Sequence, residues 1–298
     1  MKKLATTGLL CMVVVFVGST AFAQEFSASV GMKAWYNKWE GFLAWEDLDS
    51  EDYSLLVGPS VKLSYGRFFG GVNYLLSTSD YEESHSSTWD VSEFDSAEDP
   101  SGIEGSVWQE ADAKADREDL DILAGVMIHP RVGVFFGYKR IISCDAGYVI
   151  ETLAAGTDVD TGVEAEAELT DVRDIEVRIS GFAFGVTCNY PLSRFPIVFT
   201  ANAAYMPNMM YEDDWGTTET ATVNGEITEV NEDSGTYTWH DDGYMVECGA
   251  TYTLRENVAV SLGYKYQEII KGNNVGEFYR GYGDMKFSGV SFGIDYRF

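Results

Sequence analysis

Apolar residues recur at every second position in ten separate segments of the chain, and that period of two points to β-strands. The first segment sets Phe26, Ala28, Val30, Met32, Ala34 and Tyr36 against Ser27, Ser29, Gly31, Lys33 and Asn37. The ninth sets Val258, Val260, Leu262, Tyr264 and Tyr266 against Ser261, Gly263, Lys265 and Gln267. The others begin near Leu55, Phe68, Leu120, Val132, Phe182, Ile197, Tyr244 and Val290. Each covers roughly 9–11 residues or more, the length a tilted strand needs to cross a bilayer. One is irregular: Ile175, Val177 and Ile179 fall on the opposite phase from Phe182, Phe184 and Val186. Either a bulge near Ser180-Gly181 or an upper half projecting above the bilayer accounts for that.

The connections alternate strictly between short and long. Gly66-Arg67, His129-Pro130-Arg131, Pro191 to Pro196 and Leu254 to Asn257 are tight, whereas stretches near 39–53, 78–118, 142–171, 207–242 and 268–284 are long and polar. A soluble β-sandwich gives no reason for such alternation. A closed antiparallel up-and-down barrel does, with its turns on one side of a membrane and its loops on the other. Both termini lie on the turn side, so the strand count is even, and ten satisfies it. Closure is compulsory, because hydrocarbon offers no hydrogen bonds to an open strand edge. The fold expected is therefore all-β, with apolar faces toward lipid and polar faces toward a lumen.

Met1-Lys2-Lys3, an apolar run from Leu4 to Val17 and Ala21-Phe22-Ala23 form a secretory signal peptide over 1–23, cleaved to leave the barrel over 24–298. Loss of Lys2 and Lys3 takes the net charge from −28 to −30. So acidic a chain is no nucleic-acid partner, since phosphate binding needs a basic surface. Cys144, Cys188 and Cys248 remain after cleavage, an odd number with no metal-knuckle spacing. They read as small apolar strand residues.

The last strand ends Phe292-x-Ile294-x-Tyr296-x-Phe298. Alternating aromatic residues closing on a C-terminal Phe resemble the terminal signature of Gram-negative outer-membrane β-barrels. The resemblance covers 24–298 as architecture and selects no subfamily. It implies Sec export, residence in the outer membrane among its lipids and lipopolysaccharide, and recognition by the barrel-assembly machinery through those four residues.

Inward-facing charges are the first candidate site. Strand pairing about Pro130 sets Asp121 opposite Lys139, and pairing near Glu256 sets Glu247 opposite Lys265. Asp295, Arg297, Lys33 and Lys62 share the inward phase. A ten-stranded interior is narrow, so these charges read as a salt-bridged plug in place of a hydrophobic core. The alternative is a passage for small cations or solutes lined by the same groups.

The loops are the second. Residues 80–119, 151–171 and 207–242 hold 14, 7 and 10 acids, 31 of the chain's 48. Solvation of the loops is the simple reading. Binding of Ca2+ or Mg2+, bridging to lipopolysaccharide phosphates, is the other, with Glu212-Asp213-Asp214 as the candidate ligands. No resident cofactor is expected otherwise.

Ten-stranded barrels include the omptin proteases, which use acids and a histidine at the outer mouth. Here His240-x-Asp242 reverses the omptin order, and Glu82, Glu83, Asp90 and Asp95 supply no closely spaced Asp pair. A lipid-modifying barrel enzyme would need a Ser–His pair that no spacing selects. The sequence therefore favours a non-enzymatic barrel serving envelope structure or surface contact, with a narrow channel as the alternative and an enzyme third.

Overall fold

The computed structural model describes residues 26–40, 52–78, 81–91, 103–158, 164–223, 226–270 and 284–298. The signal segment and the polar stretches 41–51 and 271–283 lie outside them. Twelve strands are present among the described residues: β1 (Phe26–Glu40), β2 (Asp52–Tyr65), β3 (Phe68–Ser77), β4 (Tyr81–Val91), β5 (Ile103–Ala115), β6 (Glu118–His129), β7 (Val132–Asp158), β8 (Glu164–Pro191), β9 (Ile197–Val223), β10 (Glu226–Arg255), β11 (Val258–Ile270) and β12 (Met285–Arg297). Ten of them close into an antiparallel barrel in the order β7-β6-β3-β2-β1-β12-β11-β10-β9-β8, sealed by β7–β8 pairing. The first and last strands meet from Ser29↔Arg297 to Glu40↔Lys286, so neither leaves an edge in lipid.

The barrel is inside out, as the alternation requires. Met32, Leu63, Phe136, Phe182, Phe184, Phe199, Leu262 and Phe292 are exposed on the outer wall. Tyr36 and Tyr53 stack on that wall 5.4 Å apart toward the loop end. At the turn end Tyr296 meets Phe298 edge-on at 5.0 Å. Such amphipathic rings suit the headgroup level. The turn between β2 and β3 is two residues long, and Gly66 adopts φ 58° there, the positive angle a tight hairpin needs.

Two expected loops are strands instead. Residues 142–158, 164–171, 207–223 and 226–242 continue β7 to β10 far beyond the other six barrel strands, to lengths of 27–30 residues. Thr217–Val223 and its partners on β8 are rich in β-formers, and a water-washed wall tolerates their acids. Within 78–118, β4 and β5 form a hairpin, and β5 pairs with the upper part of β7 from Ile103↔Asp158 to Lys114↔Gly147. A tall sheet thus rises over one side of the barrel.

Of the two expectations for the irregular segment, the upper half projecting above the bilayer is the one that fits, since β8 continues from Pro191 up to Glu164 in the tall wall. β8 runs without interruption, and Ile175, Val177 and Ile179 keep the inward phase. The extra residue lies on β9, where Met206 to Met209 oppose only Gly181 to Ala183. Asn208 takes φ 52° in this bulge, a region Asn tolerates. The Asp242 carboxylate caps it, accepting from the Asn208 N–H at 2.8 Å and the Tyr205 hydroxyl at 2.7 Å.

Candidate functional site: the filled lumen and the wall above it

The turn end of the barrel opens into a polar vestibule of about 620 Å3, lined in part by Ser29, Lys62, Asn73, Thr200, Asp295 and Arg297. Lys62 donates to Asp295 at 2.7 Å. Small residues leave room for the rings inside. A side chain on Gly125 would strike the Phe69 ring, and one on Gly185 would strike the Phe135 ring.

Above the vestibule the charges cross the lumen. Lys33 on β1 donates to Glu247 on β10 at 2.8 Å. Asp121 receives Lys139 at 2.7 Å and Lys265 at 3.4 Å. β6 and β11 stand five strands apart in a ring of ten, so Lys265–Asp121 spans the barrel's width. All eight charges chosen from sequence therefore line the interior. One pairing differs: Glu247 and Lys265 are ladder partners, yet Glu247 bonds Lys33, because facing strands in a narrow barrel approach as closely as neighbours.

Next comes a level built from a segment whose acids alone suggest a solvated loop. Arg117, only 1% exposed, donates to Asp119 at 2.6 and 2.9 Å. Its guanidinium lies 3.9 Å from the Phe287 ring centre, 5.2 Å from Trp39 and 5.3 Å from Trp35. Its remaining amine, Nη1, is buried without a hydrogen-bond partner, so the rings around the guanidinium are the compensation available to its charge. Lys139 reaches Asp119 at 3.3 Å, and Lys265 sits 4.3 Å over Trp35. Leu56, Leu75, Ile141, Val177, Ile179, Met206, Met209, Tyr211, Ile269 and Phe287 complete a buried apolar cluster around this level. The charge network is thus capped by a hydrophobic and aromatic core. Its signal was available in the phase: Trp35 and Trp39 alternate with Lys33 and Asn37, and Arg117 with Asp119 and Asp121.

The acidic triplet does not converge on a metal. Strand alternation turns Asp213 to the inner face, where it is 7% exposed. Glu212 and Asp214 point outward and are held by Arg178 at 2.8 and 3.1 Å. Among the described residues no three His, Cys, Asp or Glu side chains are grouped to hold an ion. His240 is exposed, and its neighbour Asp242 is committed to the β9 bulge. The terminal signature Phe292, Ile294, Tyr296 and Phe298 faces outward along β12.

The closed lipid-facing barrel agrees with sequence comparison, in which the family described as outer membrane protein beta-barrel domain matches residues 86–298. The chain belongs to this family. It is accordingly a bacterial outer-membrane protein. No curated protein matches the sequence. Among solved structures it is similar to the outer membrane protease OmpT of Escherichia coli, at 12% identity and TM-score 0.46, covering 94% of this chain and 99% of that one. Neisserial surface protein A gives 13% identity and TM-score 0.31, covering 91% and 97%. A FadL homologue from Pseudomonas aeruginosa gives 10% and 0.30, covering 93% and 91%. Likenesses this distant transfer no activity.

Proposed function

We propose that this protein is a closed, non-enzymatic outer-membrane barrel that serves envelope integrity or surface contact through its tall acidic wall. The observation that supports this is the Arg117 stopper, a buried cation wedged among Trp35, Trp39 and Phe287 above a lumen already crossed by ion pairs. A hydrated ion would have to displace that cation from its rings and carboxylate to pass. Outer-membrane lipid, lipopolysaccharide and the assembly machinery are its partners in this reading. Purified protein in planar bilayers is expected to show no discrete conductance steps, and steps of nanosiemens size would refute closure.

A narrow cation channel is the second reading, favoured by the 620 Å3 vestibule with its Asp295 and Glu247 carboxylates. It requires the stopper to move, and the same bilayer recordings decide between the two.

A further inference from the structure

Above the stopper, the inner face of β9 and β10 continues from the buried cluster at Tyr211 as an aromatic and acidic surface. Ladder pairing sets Tyr211 opposite Trp239, Asp213 opposite Tyr237, and Trp215 opposite Gly235. Side chains of directly paired residues share a face, so these five lie together. Tyr211 and Trp239 stack with ring centres 3.9 Å apart. Trp215 lies across Gly235, where a side chain would come within 3.0 Å of its indole nitrogen, and stacks on Tyr237 at 6.0 Å. Between the two stacks stands Asp213. Its Oδ1 is buried and accepts no hydrogen bond.

A buried carboxylate oxygen without a donor is costly, since it has lost water and gained nothing. Arg178, which neutralises Glu212 and Asp214, is on the other face of the sheet. Burial first, and then the neighbouring Asp214, pushes the Asp213 carboxyl up to about 6. Among the described residues no donor reaches that oxygen, and ring faces lie on either side of it. Residues 207–242 contain no Lys or Arg to fill that role. Rings plus a carboxylate are the chemistry that recognises an alkylammonium group, by cation–π attraction on its methylenes and charge and by a charge-assisted hydrogen bond. A hydrated divalent ion is poorly served, because among the described residues no three carboxylates are grouped here to supply its oxygens.

We propose that the face formed by Asp213, Trp215, Tyr237, Tyr211 and Trp239 binds the ammonium group of an organic amine at the cell surface. This goes beyond the closed-barrel reading and is independent of it: conductance tests the lumen, and titration tests the wall.

The test is isothermal titration of the detergent-folded mature protein with spermidine, at fixed ionic strength and pH 7.5. Wild type is expected to show one saturable site that equimolar MgCl2 does not displace. Asp213→Asn, nearly isosteric, should weaken it about tenfold or more, the worth of one charge-assisted bond. Tyr237→Ala leaves the net charge unchanged and should also weaken it severalfold, whereas Glu232→Gln, an exposed acid elsewhere on β10, should not. Heat-shift electrophoresis verifies that each variant retains its barrel. Unchanged affinity in both Asp213→Asn and Tyr237→Ala would overturn the proposal. So would displacement by equimolar Mg2+, which would reduce the binding to diffuse attraction by an acidic surface.

Discussion

Replacing Arg117 by Ala removes the centre of the stopper, and the cost can be worked from its contacts. The side chain is buried, donates twice to a carboxylate that is itself buried, and covers three rings. Breaking a buried ion pair by deleting one partner costs about 3–5 kcal/mol, because the surviving charge is left without compensation. Lys139 at 3.3 Å offsets part of that for Asp119. Loss of the desolvated ring contacts adds roughly 2 kcal/mol. These overlap, so about 4 kcal/mol is the expectation rather than their sum. Urea unfolding in lipid vesicles, followed by Trp fluorescence and heat-shift electrophoresis, measures it. The companion variant Arg117→Met/Asp119→Leu removes both charges and keeps the volume. It should recover most of the loss, since apolar replacement of a whole buried pair is often neutral or better. An Arg117→Ala barrel as stable as wild type would show that the guanidinium is not enclosed as described. A double variant no better than the single one would show that the pair does more than compensate itself.

Gly185→Ala should destabilise by about 1–3 kcal/mol through collision with the Phe135 ring and the Ala203 carbonyl, and adding Phe135→Ala should recover part of it in the same urea assay. Asp242→Ala withdraws the cap from the β9 bulge and should cost about 1–2 kcal/mol, with amide exchange rising around Asn208. Arg178→Ala, although it touches three acids, should change stability by less than about 1 kcal/mol, because its own side chain is 38% exposed and water screens the pairs. The raised carboxyl of Asp213 favours its protonated form in the folded wall. Its stabilising contribution is therefore complete below about pH 4, the ordinary Asp range, and is lost as pH rises through about 6. Protease resistance of the β8–β10 wall should fall between pH 5 and 7.5 in wild type, and Asp213→Asn should flatten that dependence.

The membrane-crossing core of the fold was legible because lipid and lumen impose a strict period of two, and turns such as Gly66-Arg67 announce themselves. The tall wall was not, because its strands have water on both faces where they rise, so acids and threonines replace the apolar rows that mark a lipid-facing strand. The same mixture hid β4 and β5 in a segment read as acidic loop. Within the lumen, Lys33, Asp121, Lys139 and Lys265 could be placed by phase alone. Which of them bond each other could not, because contacts across the barrel depend on its width and on side-chain reach, as Lys33–Glu247 and Lys265–Asp121 show. Arg117 keeps the inward phase of Asp119 and Asp121 but sits in the two-residue step between β5 and β6, where no apolar row marks a strand. Asp213 was grouped with Glu212 and Asp214 by adjacency in sequence, whereas a strand sends adjacent side chains to opposite faces.

The central claim is that apolar rows meet hydrocarbon while polar rows meet the lumen. A nitroxide scan along β12 tests it most directly, with single cysteines at positions 289 to 296 in a background lacking Cys144, Cys188 and Cys248, reconstituted in lipid. Labels replacing Val290, Phe292, Ile294 and Tyr296 should relax strongly with oxygen and weakly with a water-soluble nickel chelate, and those replacing Gly289, Ser291, Gly293 and Asp295 should show no such lipid contact. The opposite alternation, or oxygen contact at every position, would contradict the account.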